Sequence, residues 1–418
     1  MIPGPIRRAL GPLLEHEQLL MISISTVLVM AGQGVISPVL PLFAEEFGVG
    51  AAVIGLTLSF FALARLILNV PLGLLSDRYG RRMLLVWGPA VTAVGMVGSG
   101  LSGDIYQLLA WRFIAGAGSA MYMTGAQIYL TDISTTATRA RFIGTNQGAL
   151  LLGTAIGPGV GGLVAEFWGL RAPFHVVGAA ALVAMVYAHL RVPETRHLAL
   201  AQAEESKPAP GTKPRRAWVT FLMSRDFLAV SLVTMAIFFT RTASRQTILP
   251  LLASARLGMG AGSLGVLFTV MSVINLVLVV PAALIADRFG RKAAIVPSGL
   301  LVAATLAMVG GANTITLLVI ACLAMAVGNS IAGPAPAAYA ADIAPPHLRG
   351  MAMGMYRSSG DVGFLIGPPL LGLVADWSSY GWALVVNAIL MGAASLFFLT
   401  ARETVEKPAR PEAPSPAI

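Results

Sequence analysis

The sequence is poor in the residues that soluble proteins and most catalysts depend on. It holds one cysteine, Cys322, in 418 residues, which excludes an intramolecular disulfide and a cysteine-based metal cluster. Its five histidines do not cluster. Neither a G-x-x-x-x-G-K-[ST] phosphate loop nor an H-E-x-x-H pair occurs, so no metal, cofactor or enzyme constellation is expected and a self-contained ATP-driven pump is excluded. Only 11% of residues are charged, against roughly 25% in an ordinary soluble domain, and this excludes a soluble fold. The formal charge of +9 would suggest nucleic acid in a soluble protein. Here the basic residues stand mostly in short loops between apolar runs, so they carry topology instead and no nucleic-acid partner is expected.

What the chain does have is apolar length. About twelve runs of roughly 20 residues each match the thickness of a bilayer core. They cover 19–42, 51–76, 83–102, 105–130, 142–165 and 172–192, then 227–251, 262–286, 293–312, 315–341, 351–375 and 382–400. Every run must be helical, because lipid offers no partner to free backbone groups. The first run is long and lacks a small-residue cleavage site, so it is expected to stay as the first span. Arg7, Arg8, Arg78, Arg81, Arg82, Arg139, Arg141, Arg288, Arg291, Lys292 and Arg349 fall on one side. The opposite loops hold only Arg171 and Arg256 as basic residues. That asymmetry predicts a multi-pass protein with both termini cytoplasmic, and richness in Ala, Gly and Arg suggests a bacterial inner membrane. The predicted units are a bundle over 1–192, a cytoplasmic linker over 193–222, a second bundle over 223–402 and a disordered tail over 403–418.

The chain also repeats itself. PLGLLSDRYGRR (Pro71–Arg82) returns as PAALIADRFGRK (Pro281–Lys292), so that Asp77, Gly80 and Arg81 recur 210 residues on as Asp287, Gly290 and Arg291. Tyr129-x-x-Asp132 and Tyr339-x-x-Asp342, Arg139 and Arg349, and Gly153–Glu166 and Gly363–Asp376 keep that offset, whereas Pro41 and Pro250 stand 209 apart. Two homologous six-span halves predict a site near the membrane midplane between them.

Gly73-x-Leu75-x-Asp77-Arg78-x-Gly80-Arg81-Arg82 resembles the loop between the second and third helices of major facilitator superfamily transporters, and the likeness covers nearly the whole chain. The resemblance implies an all-α membrane protein with twelve transmembrane helices in two pseudo-symmetric six-helix bundles, working by alternating access. Asp77 and Asp287, followed by Arg288 and Lys292 in the second copy, read in two ways. Each is a helix cap with inside-positive anchoring, or a latch whose carboxylate holds the N-terminus of a neighbouring helix in one state of the cycle. The resemblance implies that the latch stabilises the outward-facing state. Asp132, Arg139, Arg141, Asp342 and Arg349 read as cytoplasmic gate partners of the hairpins. Exposed pairs are individually weak, so they would have to act as a network.

In the fifth span, Gly144, Gly153, Gly157-Pro158 and Gly161-Gly162 strip one helix face of side chains. By itself this reads as close packing. The full spacing resembles the signature of proton-coupled drug antiporters of the superfamily, and implies a tight contact between the halves on the outer side. Arg112, Gly116 and Gly118 form R-x-x-x-G-x-G, similar to a fourth-helix motif associated with proton transfer in those antiporters. The first span departs from them: Gly32–Pro41, GQGVISPVLP, holds no acid, so proton coupling would fall to Asp361.

A charge at membrane depth costs about 2.5–3.5 kcal/mol on insertion scales, so each needs a reason. The candidates are Arg65, Arg112, Arg241, Arg245, Arg357 and Asp361. Asp361 lies four residues after Arg357, on one helical face. It is either half of an ion pair that makes insertion tolerable or a carboxylate that gains and loses a proton. If Arg241 and Arg245 face the centre, an anionic or zwitterionic amphiphile fits better than a lipophilic cation, and Arg357 is a further cavity candidate. Tyr122, Met123, Phe238, Phe239 and Asn146 are the other cavity candidates, each also explained by bundle packing. The expected function is proton-coupled efflux of amphipathic small molecules by a monomer embedded in lipid. A facilitator or importer of an organic anion or lipid-like molecule is the alternative, and two intact hairpins disfavour a non-transporting sensor.

Overall fold

The computed structural model describes residues 17–135, 138–196, 221–345 and 349–404, without the side chains of Ala140, Arg349 and Gly350. Twelve long helices cross in sequence: α1 (Glu17–Ile36, extended by a short piece, Leu40–Glu45), α2 (Ala51–Tyr79), α3 (Arg81–Gly100), α4 (Ile105–Asp132), α5 (Arg139–Trp168) and α6 (Ala172–Arg191). The second half repeats them as α7 (Arg225–Leu257), α8 (Ala261–Phe289), α9 (Arg291–Gly310), α10 (Ile315–Ile343, interrupted at Gly333-Pro334), α11 (Arg349–Trp377) and α12 (Tyr380–Phe398). Among the described residues there is no strand, and eleven of these helices are long and apolar enough to span a bilayer. The twelfth, α4, has the length, 28 residues.

Local chemistry sets the helix limits. Asp104, Ser224, Thr314 and Ser379 each accept an N–H from three residues on, capping α4, α7, α10 and α12. Gly80 and Gly290, at φ +98° and +102°, turn the chain between α2 and α3 and between α8 and α9, in a region open only to glycine. In α7 the residues Thr240–Ile248 widen into a π-helix just before Pro250, and Leu249 N–H reaches back to Ser244 O, five residues away. Pro250 lacks the N–H that α-helical pairing would use there.

Packing repeats with the sequence. In the first half α1 lies on α5, α2 on α4, and α3 on α4 and α6. In the second, α7 lies on α11, α8 on α10, and α9 on α10 and α12. The halves meet along two crossings, α5 on α8 and α2 on α11. One apolar core joins both halves at the end opposite the hairpins, including Phe43, Ile54 and Phe174 from the first half and Leu252, Leu264 and Leu306 from the second. At the hairpin end the cores are separate. One holds Leu19, Ile22, Leu85 and Tyr129; the other holds Phe227, Val230, Ile295 and Tyr339. Gly144 and Gly354, which open α5 and α11, have no neighbour within contact of a modest side chain. The halves therefore close at the far end and part at the hairpin end.

Two predicted boundaries move. Glu194 and Thr195, read as linker, are bound to the first half, and Glu403 and Thr404, read as disordered tail, are bound to the second. Backbone N–H groups at a helix start need acceptors, and these residues supply them.

Candidate translocation site

The hairpins are built around one arginine each. Arg81 is buried, with Nε 2.8 Å from Asp132 Oδ2 and Nη2 3.2 Å from Asp77 Oδ1. Glu194 accepts the N–H groups of Arg81 (2.9 Å) and Arg82 (3.1 Å), and Thr195 Oγ1 donates to Asp132 at 3.1 Å. Burial pushes the Glu194 carboxyl up, but the N–H groups of Arg81, Arg196, Arg82 and Thr195 outweigh it and hold the group below the usual carboxylate range. The second copy repeats the design: Arg291 pairs with Asp287 and Asp342, Glu403 accepts the N–H groups of Arg291 and Lys292, and Thr404 donates to Asp342 at 3.0 Å. It is the wetter copy, since Asp342 is 36% exposed where Asp132 is 7%. Arg78 and Arg288 stack on Tyr79 and Phe289. In this state Asp77 and Asp287 pair inside their own hairpins. Arg141 is exposed and Arg139 Nε has no partner. The side chain of Arg349 lies outside the described residues.

The far end is where carboxylates cross between halves. Asp376, at the end of α11, accepts the N–H groups of Ala51 (2.7 Å) and Ala52 (3.0 Å) at the start of α2. Its repeat mate Glu166, at the end of α5, lies against Gly262 at the start of α8. Beside them the backbones touch. A methyl group on Gly162 would come within 2.8 Å of Gly265 Cα, and one on Gly55 within 2.8 Å of Pro369 N.

This corrects the expectation for the fifth-span glycines. Gly153, Gly157 and Gly161 face Ala31, Gly34 and Val35 of α1, inside the first half, and Gly144 faces open space. Of the predicted glycines Gly162 serves the contact between halves, with Pro158 beside Gly265 and the neighbouring Gly159 against Thr269 of α8. Gly55 and Gly265, absent from the predicted site, complete it. Their signal was their own 210-residue spacing.

Between the two ends stands a cluster of charge. Asp361 and Arg357 of α11 lie within electrostatic reach of each other, and Asp361 also of Arg65 on α2, in the other half. Arg65 lies near Arg241, and Arg241 near Arg245. Arg245 Nη2 donates to Ser272 Oγ at 3.0 Å and its guanidinium lies 5.5 Å from the Phe268 ring. Arg241 and Arg357 are exposed, Arg65 Nε is buried without a partner, and Asp361 is half-buried. A guanidinium left without a full set of acceptors in this setting attracts an anionic group.

Other predicted residues lie elsewhere. Arg112 is buried behind the wall, donating to Thr57 O at 3.3 Å and lying 4.7 Å from the Phe61 ring. Tyr122 and Asn146 both bind Thr26, each at 2.8 Å, in a network sealed inside the first half, so they do not line the cleft. Met123 packs on the same half's core. Phe239 is buried beside Gly367, and Phe238 packs on Gly360 of α11. Periodicity could not reveal this, because aromatic and amide groups satisfy a bundle interior as well as a cavity.

The comparisons agree with this architecture. The chain is 25% identical over 362 residues to an uncharacterized MFS-type transporter of Methanocaldococcus jannaschii, covering 86% of this chain and 92% of that one. It is 25% identical over 371 residues to Multidrug resistance protein 2 of Bacillus subtilis, covering 87% and 90%. A solved bacterial homologue of the human lysosomal transporter Spinster, inward-facing and occupied, superposes with a TM-score of 0.77 at 17% identity, covering 91% of this chain and 95% of that one. A family model for the Major Facilitator Superfamily matches residues 22–244 and 234–418, and the chain belongs to that superfamily.

Proposed function

We propose that this transporter exports amphipathic small molecules in exchange for protons, with Asp361 as the proton-carrying group and a zwitterionic or anionic substrate. The observation that carries the reading is the position of Asp361. It is an acid of the cleft, it sits on α11 in one half, and it lies within electrostatic reach of Arg65 on α2 in the other. An ionised Asp361 attracts Arg65 across the divide; a protonated one does not. A pair that links the halves in one protonation state only is a means of coupling the proton to the swing of the bundles. The cationic part of a zwitterion competes with the proton for Asp361, and its acidic part takes Arg65 and Arg241. The kinship with a multidrug resistance protein supports efflux. The basic hairpin end reads as cytoplasmic, so the cleft opens inward.

A second reading rests on the surplus of arginine over acid. An organic anion bound by Arg241 and Arg245 would be favoured by a protonated Asp361, so proton and substrate would travel together. Transport by purified protein in liposomes, with and without a pH gradient, separates these readings. A zwitterionic and an anionic dye would be compared in wild type and Asp361→Asn. Exchange driven by an opposing proton flow, and abolished by Asp361→Asn, supports efflux. Co-directional flow supports the anion reading. Indifference to pH in both proteins removes the proton from the mechanism.

A further inference from the structure

Asn387 lies in the middle of α12, away from the cleft, and is fully buried. α12 is otherwise almost wholly apolar, and an amide there must find partners or cost stability. It finds two, both in the π-helical stretch of α7: Nδ2 donates to Thr240 Oγ1 at 3.0 Å and to Ser244 Oγ at 2.6 Å. Thr240 and Ser244 each stand immediately before an arginine of the cleft, Arg241 and Arg245. One amide thus holds the back of the turn whose front carries both guanidiniums.

That turn needs holding. Nine π-helical residues make a long stretch of a rare geometry that usually occurs as single turns. Further hydroxyls support it from within, Thr247 donating to Thr242 O at 3.0 Å and Thr242 to Phe238 O at 2.9 Å. These bonds lie inside α7. The clasp from Asn387 ties the stretch to another helix. Were the stretch to tighten to α-helical pairing, each turn would hold fewer residues and the side chains along it would rotate about the axis. The outer end of α7 is anchored, since Leu249, Leu251 and Leu252 are buried in the core shared by both halves. The rotation would fall on Arg241 and Arg245 and draw Arg245 off Ser272 and Phe268.

We propose that Asn387 is a positioning residue for charge recognition: by clasping Thr240 and Ser244 it sets the wide register of α7 and so the place of Arg241 and Arg245 in the cleft. The inference rests on the reading of the cleft as a site for acidic groups, and it adds a residue that touches no substrate.

The test uses the purified full chain and two small fluorescent probes, dansylglycine, an amphipathic anion, and dansylamide, its neutral counterpart. Wild type is expected to prefer the anion. Asn387→Leu, of the same branched shape, is expected to lose about tenfold of that preference, the scale of one or two lost charge-orienting hydrogen bonds. Binding of dansylamide should not change. In the Arg241→Gln/Arg245→Gln background, Asn387→Leu should have no further effect, an outcome that a merely structural role would not produce. If Asn387→Leu does not fold, Thr240→Val combined with Ser244→Ala removes the same bonds from the other side and must lower the preference alike. Retained preference in a folded clasp variant overturns the inference alone. Additive losses in the arginine background also overturn it. No preference in wild type overturns the reading of the cleft, and the inference with it.

Discussion

At the hairpin end, the ion pairs among the described residues join side chains of one half: Arg81 with Asp77 and Asp132, Arg291 with Asp287 and Asp342. At the far end, acids cross: Asp376 of the second half caps α2 of the first, and Glu166 of the first lies on α8 of the second. The two ends use the same parts, a carboxylate and the start of a helix, whose free N–H groups and dipole favour negative charge. The difference lies in which half supplies each part. Links inside a half keep it rigid and cost nothing when the halves part. Links between halves choose the state. Among the described residues, carboxylate links of the second kind stand at the far end, where the halves are closed.

The comparison can be broken most severely at the backbone crossings. Gly265→Val would drive a side chain into Pro158 O and Gly162 Cα, both under 3 Å from its Cβ. Overpacking of this kind costs typically about 1–3 kcal/mol, enough to reverse a balance between states that differ by a few kcal/mol. The expected result is a shift toward a far-end-open state, read by distances between spin labels at the two ends, with most transport lost. Unchanged distances would mean that the crossing does not hold the state.

Next come the two arginines. Arg81→Ala breaks the buried pair with Asp132, a loss of about 3–5 kcal/mol where such a pair is broken. Arg291→Ala leaves the more exposed Asp342 to water and should cost markedly less. Thermal unfolding of both variants tests the order, and equal losses would show that the two hairpins are equivalent after all.

Asp376→Asn keeps the shape of the far-end cap but removes its charge. A loss near that of a helix cap, about 0.5–2 kcal/mol, should favour the far-end-open state without unfolding the protein. Glu166→Gln should do less, since its carboxylate lies against the helix start without the paired N–H bonds that Asp376 makes. Accessibility of a cysteine placed in the cleft, measured from each side of a vesicle, reads both.

The smallest effect concerns pH. Glu194 is held below the usual carboxylate range in the folded protein, so ionised Glu194 stabilises the fold. That contribution is full above its unfolded pKa, about 4.3, and is lost as pH falls through the lower folded value. Wild type should melt above Glu194→Gln near neutral pH, and the gap should close only in acid below the ordinary carboxylate range. A gap that is constant with pH would make the cap's geometry, and not its charge, the stabilising feature.

Much of this is legible in the amino-acid sequence. The hairpins, the halves and the helix count follow from apolar length and a 210-residue repeat. Even the acids that cap α3 and α9 left a trace, because Glu194-Thr195 recurs as Glu403-Thr404 at an offset of 209. Their polar, Pro-rich surroundings nevertheless read as linker and tail. The fifth-span glycines showed that something packs closely on α5. They did not show that it is mainly α1. Tyr122 and Asn146 looked like cavity residues because a buried network and a ligand site draw on the same side chains.

The sequence by itself determined that this chain lies in a membrane, as two related bundles of six helices with a basic hairpin in each. Those properties are sums over many residues, of hydropathy, of charge and of the repeat, and no single misplacement alters them. Only the tertiary structure decided which end is closed, which half each carboxylate serves, and how α7 turns its arginines. Each of those depends on one helix's rotation or one pair of atoms near 3 Å, and two states of the same sequence can differ in all of them.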